Sequence, residues 1–430
     1  MSAALLGLVG LFALIFARVP IAVSLAVVGF VGFSFEVGVE PALALVAHAT
    51  KEGTLNFELS VVPLFVLMGN LIARARLSDE LYAAAYAFLG HLKGGLALAT
   101  IAACGGFSAV CGSSMATAAT MAKVSMPSMR RYNYDDRLAT GAIAAGGTLG
   151  ILIPPSVMLL IYGLVTETHI GKLFAAGVIP GLIGVLGYMA AVRYTTWRDP
   201  DQGPPGERTD WPGRWRALRG VWGVVVLFAL VMGGIYAGWF TPTEAAAIGA
   251  AGGFIFALLR RALSFKSLLD VLVETTRTSA KIFAVLIGAL IFSEFVNYTG
   301  VHKGFVEWVT GLGVSSWVIV LVMVGVYLVL GCVLESLSMI LLTVPLFFPI
   351  ITELGYDPVW FGIVVVVAME IGLITPPIGV NVFVLRSVQP DVSMATIFRG
   401  VMPFFFADVG RILLLALVPV LSTWLPNLLF

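Results

Sequence analysis

Charged residues are scarce in this chain of 430 amino acids. Asp, Glu, Lys and Arg together make up 11% of it, and hydrophobic residues make up 59%. Soluble domains carry about 25% charged residues, so the composition excludes an ordinary soluble enzyme. The formal net charge is only +1, which gives no reason to expect a nucleic-acid partner. These proportions are typical of a protein surrounded by a lipid bilayer.

Cysteine and histidine are also few. The three cysteines, Cys104, Cys111 and Cys332, lie in apolar stretches, which argues against a disulfide or metal framework. The four histidines lack ligand spacing, and no P-loop, zinc-binding helix or nucleophile elbow occurs. An intramembrane enzyme would need Glu335 or Glu370 to act with a matched partner group, which the sequence does not offer. We therefore expect no enzymatic activity, no cofactor and no transition metal.

Long runs of apolar residues make up most of the sequence. A helix needs about 20 apolar residues to cross a bilayer. The predicted spans lie at about 2–17, 19–35, 57–75, 137–166, 171–193, 219–239, 242–260, 278–299, 358–386 and 397–425. No basic region precedes the first run, so we interpret it as a retained span and not as a signal peptide. Residues 194–218 form a long polar stretch, predicted to be a cytoplasmic linker between two halves, 1–193 and 219–430.

Two further apolar regions, about 94–129 and 314–354, are interrupted near their middles. The first is interrupted at Cys111-Gly112-Ser113-Ser114 and the second around Leu334-Glu335-Ser336. Each arm is too short to cross the membrane comfortably. Non-helical backbone at membrane depth is tolerated only where protein or water covers it. Both regions are therefore predicted to be re-entrant helical hairpins, which enter and leave on one side.

The two halves resemble each other at a constant offset of 222 residues. The superposed pairs are Pro20 and Pro242, Ser114 and Ser336, Pro127 and Pro349, Tyr134-Asp135 and Tyr356-Asp357, Gly150 and Gly372, and Pro154-Pro155 and Pro376-Pro377. One ungapped offset across most of both halves is strong evidence for duplication. Each half holds five full spans, an odd number. The second copy is therefore predicted to be inserted upside down, as in many secondary transporters.

The basic residues predict the orientation. If both termini lie outside, nearly every Lys and Arg, including Lys281, falls on the inner side. Only Lys51, Lys172 and Lys303 then fall outside, and Arg411 lies within a span. Cytoplasmic loops carry an excess of Lys and Arg, so we expect both termini on the periplasmic side. The first hairpin then opens from the cytoplasm and the second from the outside.

Two segments predict broken helices, within about 137–166 and 358–386. Residues 150–156 read Gly-Ile-Leu-Ile-Pro-Pro-Ser, and residues 372–381 read Gly-Leu-Ile-Thr-Pro-Pro-Ile-Gly-Val-Asn. A double proline removes backbone donors and unwinds the helix, which leaves free carbonyls in the membrane. Half-helix C-termini suit Na⁺, and N-termini suit an anion. Facing hairpin turns would add oxygen ligands, which hard cations prefer. The candidates are Ser113, Ser114, Thr117, Glu335 and Ser336.

Several ionisable residues are predicted at membrane depth, where an unpaired charge is costly. Glu335 is the best functional candidate because it occupies a hairpin turn. Glu370 precedes the second break by about one helical turn and is expected to support it. Asp408 and Arg411, three residues apart, are predicted to pair with each other. Glu244 follows Thr241-Pro242-Thr243 and is expected in the first turn of a helix, where a carboxylate is favoured.

Several segments together resemble the large membrane subunit of tripartite ATP-independent periplasmic (TRAP) transporters. They are Ile-Pro-Pro-Ser (153–156), Leu-Phe-Ala-Ala-Gly-Val-Ile-Pro-Gly (173–181), Gly-Trp-Phe-Thr-Pro-Thr-Glu-Ala-Ala-Ala (238–247), Thr-Val-Pro-Leu-Phe-Phe-Pro-Ile (343–350) and Gly-Leu-Ile-Thr-Pro-Pro-Ile-Gly-Val-Asn-Val-Phe (372–383). The resemblance covers essentially the whole chain. It implies an elevator-type fold in the bacterial inner membrane and Na⁺-driven uptake of carboxylates or sulfonates. It also implies two partners, a separate small four-helix membrane subunit and a periplasmic substrate-binding protein.

The resemblance further implies that each hairpin and its break contribute to cation binding, with substrate between them. Na⁺ ligands are expected at Ser113, Ser114, Gly150, Pro154, Ser336, Gly372, Thr375, Pro376 and Asn381. Substrate contacts are expected at Ser114, Thr117, Pro155, Ser156, Glu335, Ser336 and Gly379. No cluster of basic residues lies within the predicted spans. We therefore expect hairpin-tip N–H groups and Na⁺ to supply the positive field for an organic anion.

Two functional hypotheses stay open. The first is the large subunit of a TRAP transporter; the second is a stand-alone Na⁺/dicarboxylate symporter of similar fold. A passive channel is disfavoured, because inverted hairpins over broken helices suit alternating access better than an open pore. C4-dicarboxylates are the commonest cargo of the family, while 2-oxo acids, sialic acid and other carboxylates remain alternatives.

Overall fold

A computed structural model describes residues 2–300, 304, 315–332 and 334–430. Within these ranges the regular secondary structure is helical. The helices of the first half are α1 (Ser2–Phe16), α2 (Ile21–Val37), α3 (Val39–Leu55), α4 (Val61–Arg74), α5 (Leu77–Leu89), α6 (Gly95–Cys111), α7 (Ser114–Arg131), α8 (Asp136–Thr148), α9 (Val157–Thr166) and α10 (Ile170–Arg198). Those of the second half are α11 (Trp211–Gly220), α12 (Trp222–Tyr236), α13 (Pro242–Leu259), α14 (Phe265–Thr299), α15 (Ser316–Gly331), α16 (Ser336–Glu353), α17 (Pro358–Ile374), α18 (Val380–Val388), α19 (Met394–Leu417) and α20 (Val420–Leu429).

Several of these helices are long and apolar enough to cross a membrane. In the described part of the chain there are six, or seven if α11 and α12, which meet at a bend of 46°, count as one span. Other apolar helices are shorter; besides α1 and α2, they are arms of hairpins or halves of broken helices. The prediction of an all-helical, polytopic membrane protein is confirmed.

Some predicted boundaries were wrong. The span predicted at 278–299 is only the second part of α14, which begins at Phe265. Its earlier turns carry charged residues, so hydropathy alone missed them. Two helices, α3 and α5, were not predicted, because both are too polar to be recognised as spans. The span predicted at 397–425 is divided between α19 and α20, where Pro419 precedes the new helix.

The predicted linker at 194–218 is partly helical. The helix α10 continues through the first residues of this stretch to Arg198, and α11 begins within it at Trp211. Asp210 caps α11 by accepting a hydrogen bond from the Gly213 backbone N–H at 3.0 Å, and Pro212 lies in the first turn, where its missing N–H costs nothing. The polar composition of residues 194–218 therefore does not prevent part of this segment from forming helix.

The same local structure occurs at equivalent positions of the two halves. A break separates α6 from α7 and another separates α15 from α16, as expected for the two interrupted regions; residues 314 and 333 of the second lie outside the described residues. Asp135 and Asp357 cap the two broken helices, and the peptide bonds Pro154–Pro155 and Pro376–Pro377 are both cis. The upside-down relation of the halves stays a prediction.

The helices sort into two groups by their packing. The first contains α1 to α4 and α12 to α14, with α14 lying along α2 and α13 along α4. The second contains both hairpins, both broken helices, α10, α19 and α20, with α8 packed closely on α19. The groups meet chiefly where α4 contacts α6 and where α14 contacts α16. Hairpins and breaks therefore belong to one packed body, and α14 belongs to the other.

The contact between α8 and α19 provides a test of this packing. A β-carbon added at Gly400 would lie 2.0 Å from the Arg137 carbonyl oxygen, whereas one added at Gly410 on the same helix meets no described atom within 4 Å. We expect Gly400→Ala to lower the free energy of unfolding by about 1–3 kcal/mol through overpacking. Gly410→Ala is the matched control. Thermal unfolding of both variants in detergent measures the effect, and equal melting temperatures would contradict the packing.

Candidate functional site: a cavity between hairpins and helix breaks

A cavity of about 410 Å³ lies where the two hairpin turns and the two helix breaks converge. Ser113 and Ser114 reach it from the first hairpin, and Glu335 and Ser336 from the second. The breaks contribute lining residues on both of their sides. These are Ile151, Val157 and Met158 from the first break and Leu373 and Val380 from the second. Segments far apart in the sequence therefore form one pocket.

Four helices begin at the wall of this cavity. They are α7 at Ser114, α9 at Val157, α16 at Ser336 and α18 at Val380. The first turn of a helix has unpaired N–H groups and carries partial positive charge, so each of these ends favours a bound anion. Four such ends add partial positive charge to the wall of one pocket.

The two halves cap these helices differently. Ser113 accepts a hydrogen bond from the Ala116 N–H at 3.4 Å, and Ser156 accepts one from the Leu159 N–H at 3.1 Å. The corresponding cap residues of the second half are Glu335 and Gly379, and neither makes a side-chain capping bond. The first turns of α16 and α18 therefore keep more of their N–H groups available than those of α7 and α9.

Polar and charged side chains from α14 also line the cavity. Glu274, Thr278 and Lys281 follow one another at helical spacing along one face of α14 and line the cavity. Asn70 of α4 lines it beside them, and its amide donates to the Thr275 hydroxyl at 3.0 Å. Lys281 had been counted among the cytoplasmic charges, and sequence analysis missed its place in the site. The seven-residue spacing between Glu274 and Lys281 places both on one face of a helix. The predicted span began at residue 278, so Glu274 was not placed on the same helix.

The first break packs tightly against the first hairpin turn. A β-carbon on Gly150 would lie 2.8 Å from the Ser113 carbonyl oxygen and 2.9 Å from the Thr117 hydroxyl. Gly112, with φ of +63°, packs against the first break in the same way. A β-carbon added to it would lie 3.0 Å from the Pro155 carbonyl oxygen. The Thr117 hydroxyl donates to the Ser113 carbonyl at 2.8 Å. The close approach of hairpin and break therefore brings carbonyl and hydroxyl oxygens, the ligand type that a hard cation prefers, to this contact.

The second break makes an equivalent approach. A β-carbon on Gly372 would lie 2.5 Å from the Cα of Gly331 at the end of α15. Asn381 is fully buried and donates from its side-chain amide to the Ala144 carbonyl of α8 at 3.2 Å. Its side-chain oxygen has no hydrogen-bond partner among the described residues. A buried, unpartnered oxygen of this kind is a candidate cation ligand.

Other predicted contacts do not reach the cavity wall. Ser156 is buried with its hydroxyl occupied, since it caps α9 and also donates to the Ile151 carbonyl. Thr117, Pro155 and Gly379 are likewise absent from the lining. In this conformation these four predicted substrate contacts support the wall from behind. The predicted Na⁺ ligands that do not line the cavity are Gly150, Pro154, Gly372, Thr375, Pro376 and Asn381.

Comparison with known proteins identifies the family. Residues 8–421 match the model described as "Tripartite ATP-independent periplasmic transporter, DctM component". The chain belongs to this TRAP transporter family. The C4-dicarboxylate TRAP transporter large permease protein DctM of Pseudomonas aeruginosa is 36% identical over 387 residues, which are 90% of this chain and 89% of that protein.

Two further comparisons define how far the similarity to this TRAP component extends. The isethionate TRAP transporter permease protein DctMQ of Oleidesulfovibrio alaskensis is 34% identical over 375 residues, which are 85% of this chain and 57% of that longer protein. The solved YdaH transporter of Alcanivorax borkumensis matches with a TM-score of 0.66 over 89% of both chains, at 15% identity. That match shows a shared fold.

The TRAP component also holds a buried charge cluster outside the cavity. Arg411 lies 2.8 Å from Asp408, as predicted, although this contact lacks hydrogen-bond geometry. Arg411 also pairs with Glu370, which had been expected only to support the second break. The interpretation of an isolated pair was therefore incomplete. Arg411 lies on α19 and contacts two carboxylates, Glu370 of α17 and Asp408 of its own helix.

Two native cysteines on one helix test the position of the cavity. Cys111 lines the cavity and is partly exposed, whereas Cys104 is fully buried on α6. We expect a small charged methanethiosulfonate reagent to modify Cys111 much faster than Cys104 in membrane vesicles. Mass spectrometry of the α6 peptide distinguishes the two. Equal rates, or faster modification of Cys104, would contradict a water-accessible cavity at this turn.

Proposed function

We propose that this TRAP component is the large permease subunit that imports a small organic anion in symport with Na⁺. The supporting observation has two parts. Four helix N-termini and Lys281 surround one cavity, which Glu274 and Glu335 also line. Oxygen atoms of Ser113 and Thr117 lie at the first break, and those of Gly331 and Asn381 lie at the second. The first feature favours an anion and the second favours hard cations. Neighbouring sites of opposite charge preference are what coupled transport requires, because each ligand then stabilises the other.

The proposed substrate is a C4-dicarboxylate or a related carboxylate or sulfonate. The relatives named above are specified for C4-dicarboxylates and for isethionate, which are both small anions. A cavity of about 410 Å³ can hold a molecule of this size. The positive helix ends and Lys281 would contact its acidic groups.

The proposed mechanism is an elevator movement. The body that contains the hairpins and breaks would carry Na⁺ and substrate together, and the group that contains α14 would stay fixed. Lys281 and Glu274 lie on the fixed group. They would therefore contact the substrate only when the moving body holds the cavity at the same depth in the membrane as these two residues. We propose an inner-membrane location with both termini in the periplasm, as the charge distribution predicts.

The proposed assembly includes a substrate-binding protein and a small membrane subunit. The family description is tripartite, which agrees with two partners beside this component. The longer DctMQ relative extends well beyond the segment that matches this chain. For this chain we propose a separate small four-helix subunit.

Reconstitution in liposomes with both partners tests the proposed function. We expect an inward Na⁺ gradient to drive uptake of at least one member of a panel of C4-dicarboxylates, 2-oxo acids, sialic acid and isethionate. Asn381→Leu, which removes the buried oxygen, should raise the Na⁺ concentration for half-maximal uptake, whereas Asn297→Leu on α14 should not. Uptake driven by ATP or a proton gradient without Na⁺ would contradict the proposal. Uptake by this chain alone would favour a stand-alone symporter.

Lys281 provides a second test. A charge-assisted hydrogen bond contributes about 1.5–3 kcal/mol, so its loss in Lys281→Gln should raise the half-saturating substrate concentration about 10-fold or more. The Na⁺ dependence should stay the same. Lys266→Gln, an exposed residue near the start of the same helix, is the control. An unchanged substrate affinity in Lys281→Gln would remove this residue from the proposed site.

A further inference from the structure

A chain of buried polar contacts runs from one helix break to the other. The Thr148 and Tyr188 hydroxyl oxygens are 2.9 Å apart, and the Tyr188 hydroxyl donates to Asp408 at 2.5 Å. Asp408 lies 2.8 Å from Arg411, and Arg411 donates to Glu370. All five residues are buried, with side chains at most a few per cent exposed. The chain crosses four helices, α8, α10, α19 and α17.

The two ends of this chain occupy equivalent positions. Thr148 is the last residue of α8, directly before the turn that contains Gly150. Glu370 precedes Gly372 by two residues, as Thr148 precedes Gly150. The offset of 222 residues that relates the halves superposes Thr148 on Glu370. The row of polar contacts therefore reaches each break at the same place, two residues before the glycine that packs against the hairpin.

Packing holds the middle of the chain in place. The Tyr188 ring lies edge-on to Phe404 with centroids 5.6 Å apart, and the Arg411 guanidinium lies 5.8 Å from the centre of the Tyr188 ring. Two carboxylates and one guanidinium away from water interact strongly, because the surroundings screen little. These contacts link Thr148 to Glu370 through packed side chains, so a change at one end can alter the contacts at the other.

Part of the unused hydrogen-bonding capacity of the cluster lies beside a small cavity. Nε and Nη1 of Arg411 and one oxygen of Asp408 lack hydrogen-bond partners in the described part of the chain. A cavity of about 190 Å³ lies against them, lined among others by Gly187 and Gly410. It has room and polar partners for water. The cluster can therefore rearrange its contacts without leaving a charge unsolvated.

We propose that this chain couples the two cation positions, so that Na⁺ at one break raises the affinity for Na⁺ at the other. The inference rests on the proposed Na⁺ symport. A cation bound beside Gly150 orders the end of α8, and Tyr188, Asp408 and Arg411 transmit that order to Glu370 beside Gly372. The five residues of the chain act as positioning residues, since none of them lines the substrate cavity.

The test is the cooperativity of Na⁺ activation in the reconstituted transporter with both partners. Tyr188→Phe removes the hydroxyl that joins Thr148 to Asp408 but keeps the packed ring, and Thr148→Val removes the same link from the other side. For two coupled sites we expect a Hill coefficient approaching about 2, which falls towards about 1 in both variants. Maximal uptake should change less than about twofold. The double variant should resemble either single one, because both remove one link.

The matched control is Tyr236→Phe. The Tyr236 hydroxyl lies on α12 and has no hydrogen-bond partner among the described residues, so this variant should keep the Hill coefficient of the parent protein. Thermal unfolding at increasing Na⁺ concentration gives a second readout that does not depend on transport. It should show the same change in cooperativity, and it reports whether each variant is folded.

The possible outcomes separate this inference from the proposed function. A parent Hill coefficient of 1, or an unchanged coefficient in both Tyr188→Phe and Thr148→Val, would overturn the coupling while Na⁺ symport stands. A lower uptake rate or melting temperature with unchanged cooperativity would do the same, and would assign the chain a structural role only. Absence of any Na⁺-dependent uptake or stabilisation by the parent protein would overturn both proposals.

Discussion

Backbone polar groups at membrane depth must find partners, and the rest of this structure depends on how the two proline breaks meet that requirement. Each double proline leaves carbonyls without helical donors. The hairpins pack so closely on the breaks that a side chain at Gly150 or Gly372 would clash with them. The arrangement that satisfies the backbone is therefore also the one that gathers oxygen atoms and helix N-termini around a single cavity.

The sequence predicted those features that depend on residues with few structural alternatives. The prolines at 154–155 and 376–377 and the small residues of the hairpin turns located both breaks and the first turn, since proline restricts the backbone wherever it stands. Asp135 and Asp357 appear as helix caps at the positions that the offset relates. The membership of the TRAP family followed from the same segments.

Features that depend on tertiary packing could not be predicted in this way. Lys281 was counted as cytoplasmic because hydropathy does not show that α14 begins thirteen residues before the predicted span. Ser156 was expected to face the substrate, but a serine before a helix can equally turn inward and cap it, as here. The partners of Glu370 were not predictable either, because Arg411 is 41 residues away on another helix.

Charged residues within the membrane-spanning part occupy two different environments, the cavity and the buried interior. Glu274, Lys281 and Glu335 face the cavity, where water and a ligand can solvate them. Glu370, Asp408 and Arg411 are buried together, where only mutual pairing makes their burial tolerable. A membrane protein with 11% charged residues thus places some of them where desolvation is most costly. That placement argues for a role beyond packing, because apolar residues would fill the same space at lower cost.

The unequal capping of the cavity helices affects how the two halves can hold a ligand. Ser113 and Ser156 use their own hydroxyls to satisfy the helix starts of the first half, whereas the starts at Ser336 and Val380 have no such internal partner. One N–H group at each helix start of the first half is therefore already occupied, while the starts of the second half have no side-chain cap among the described residues. The pocket is consequently asymmetric in its hydrogen-bonding chemistry, and an asymmetric ligand would have one preferred direction in which to lie.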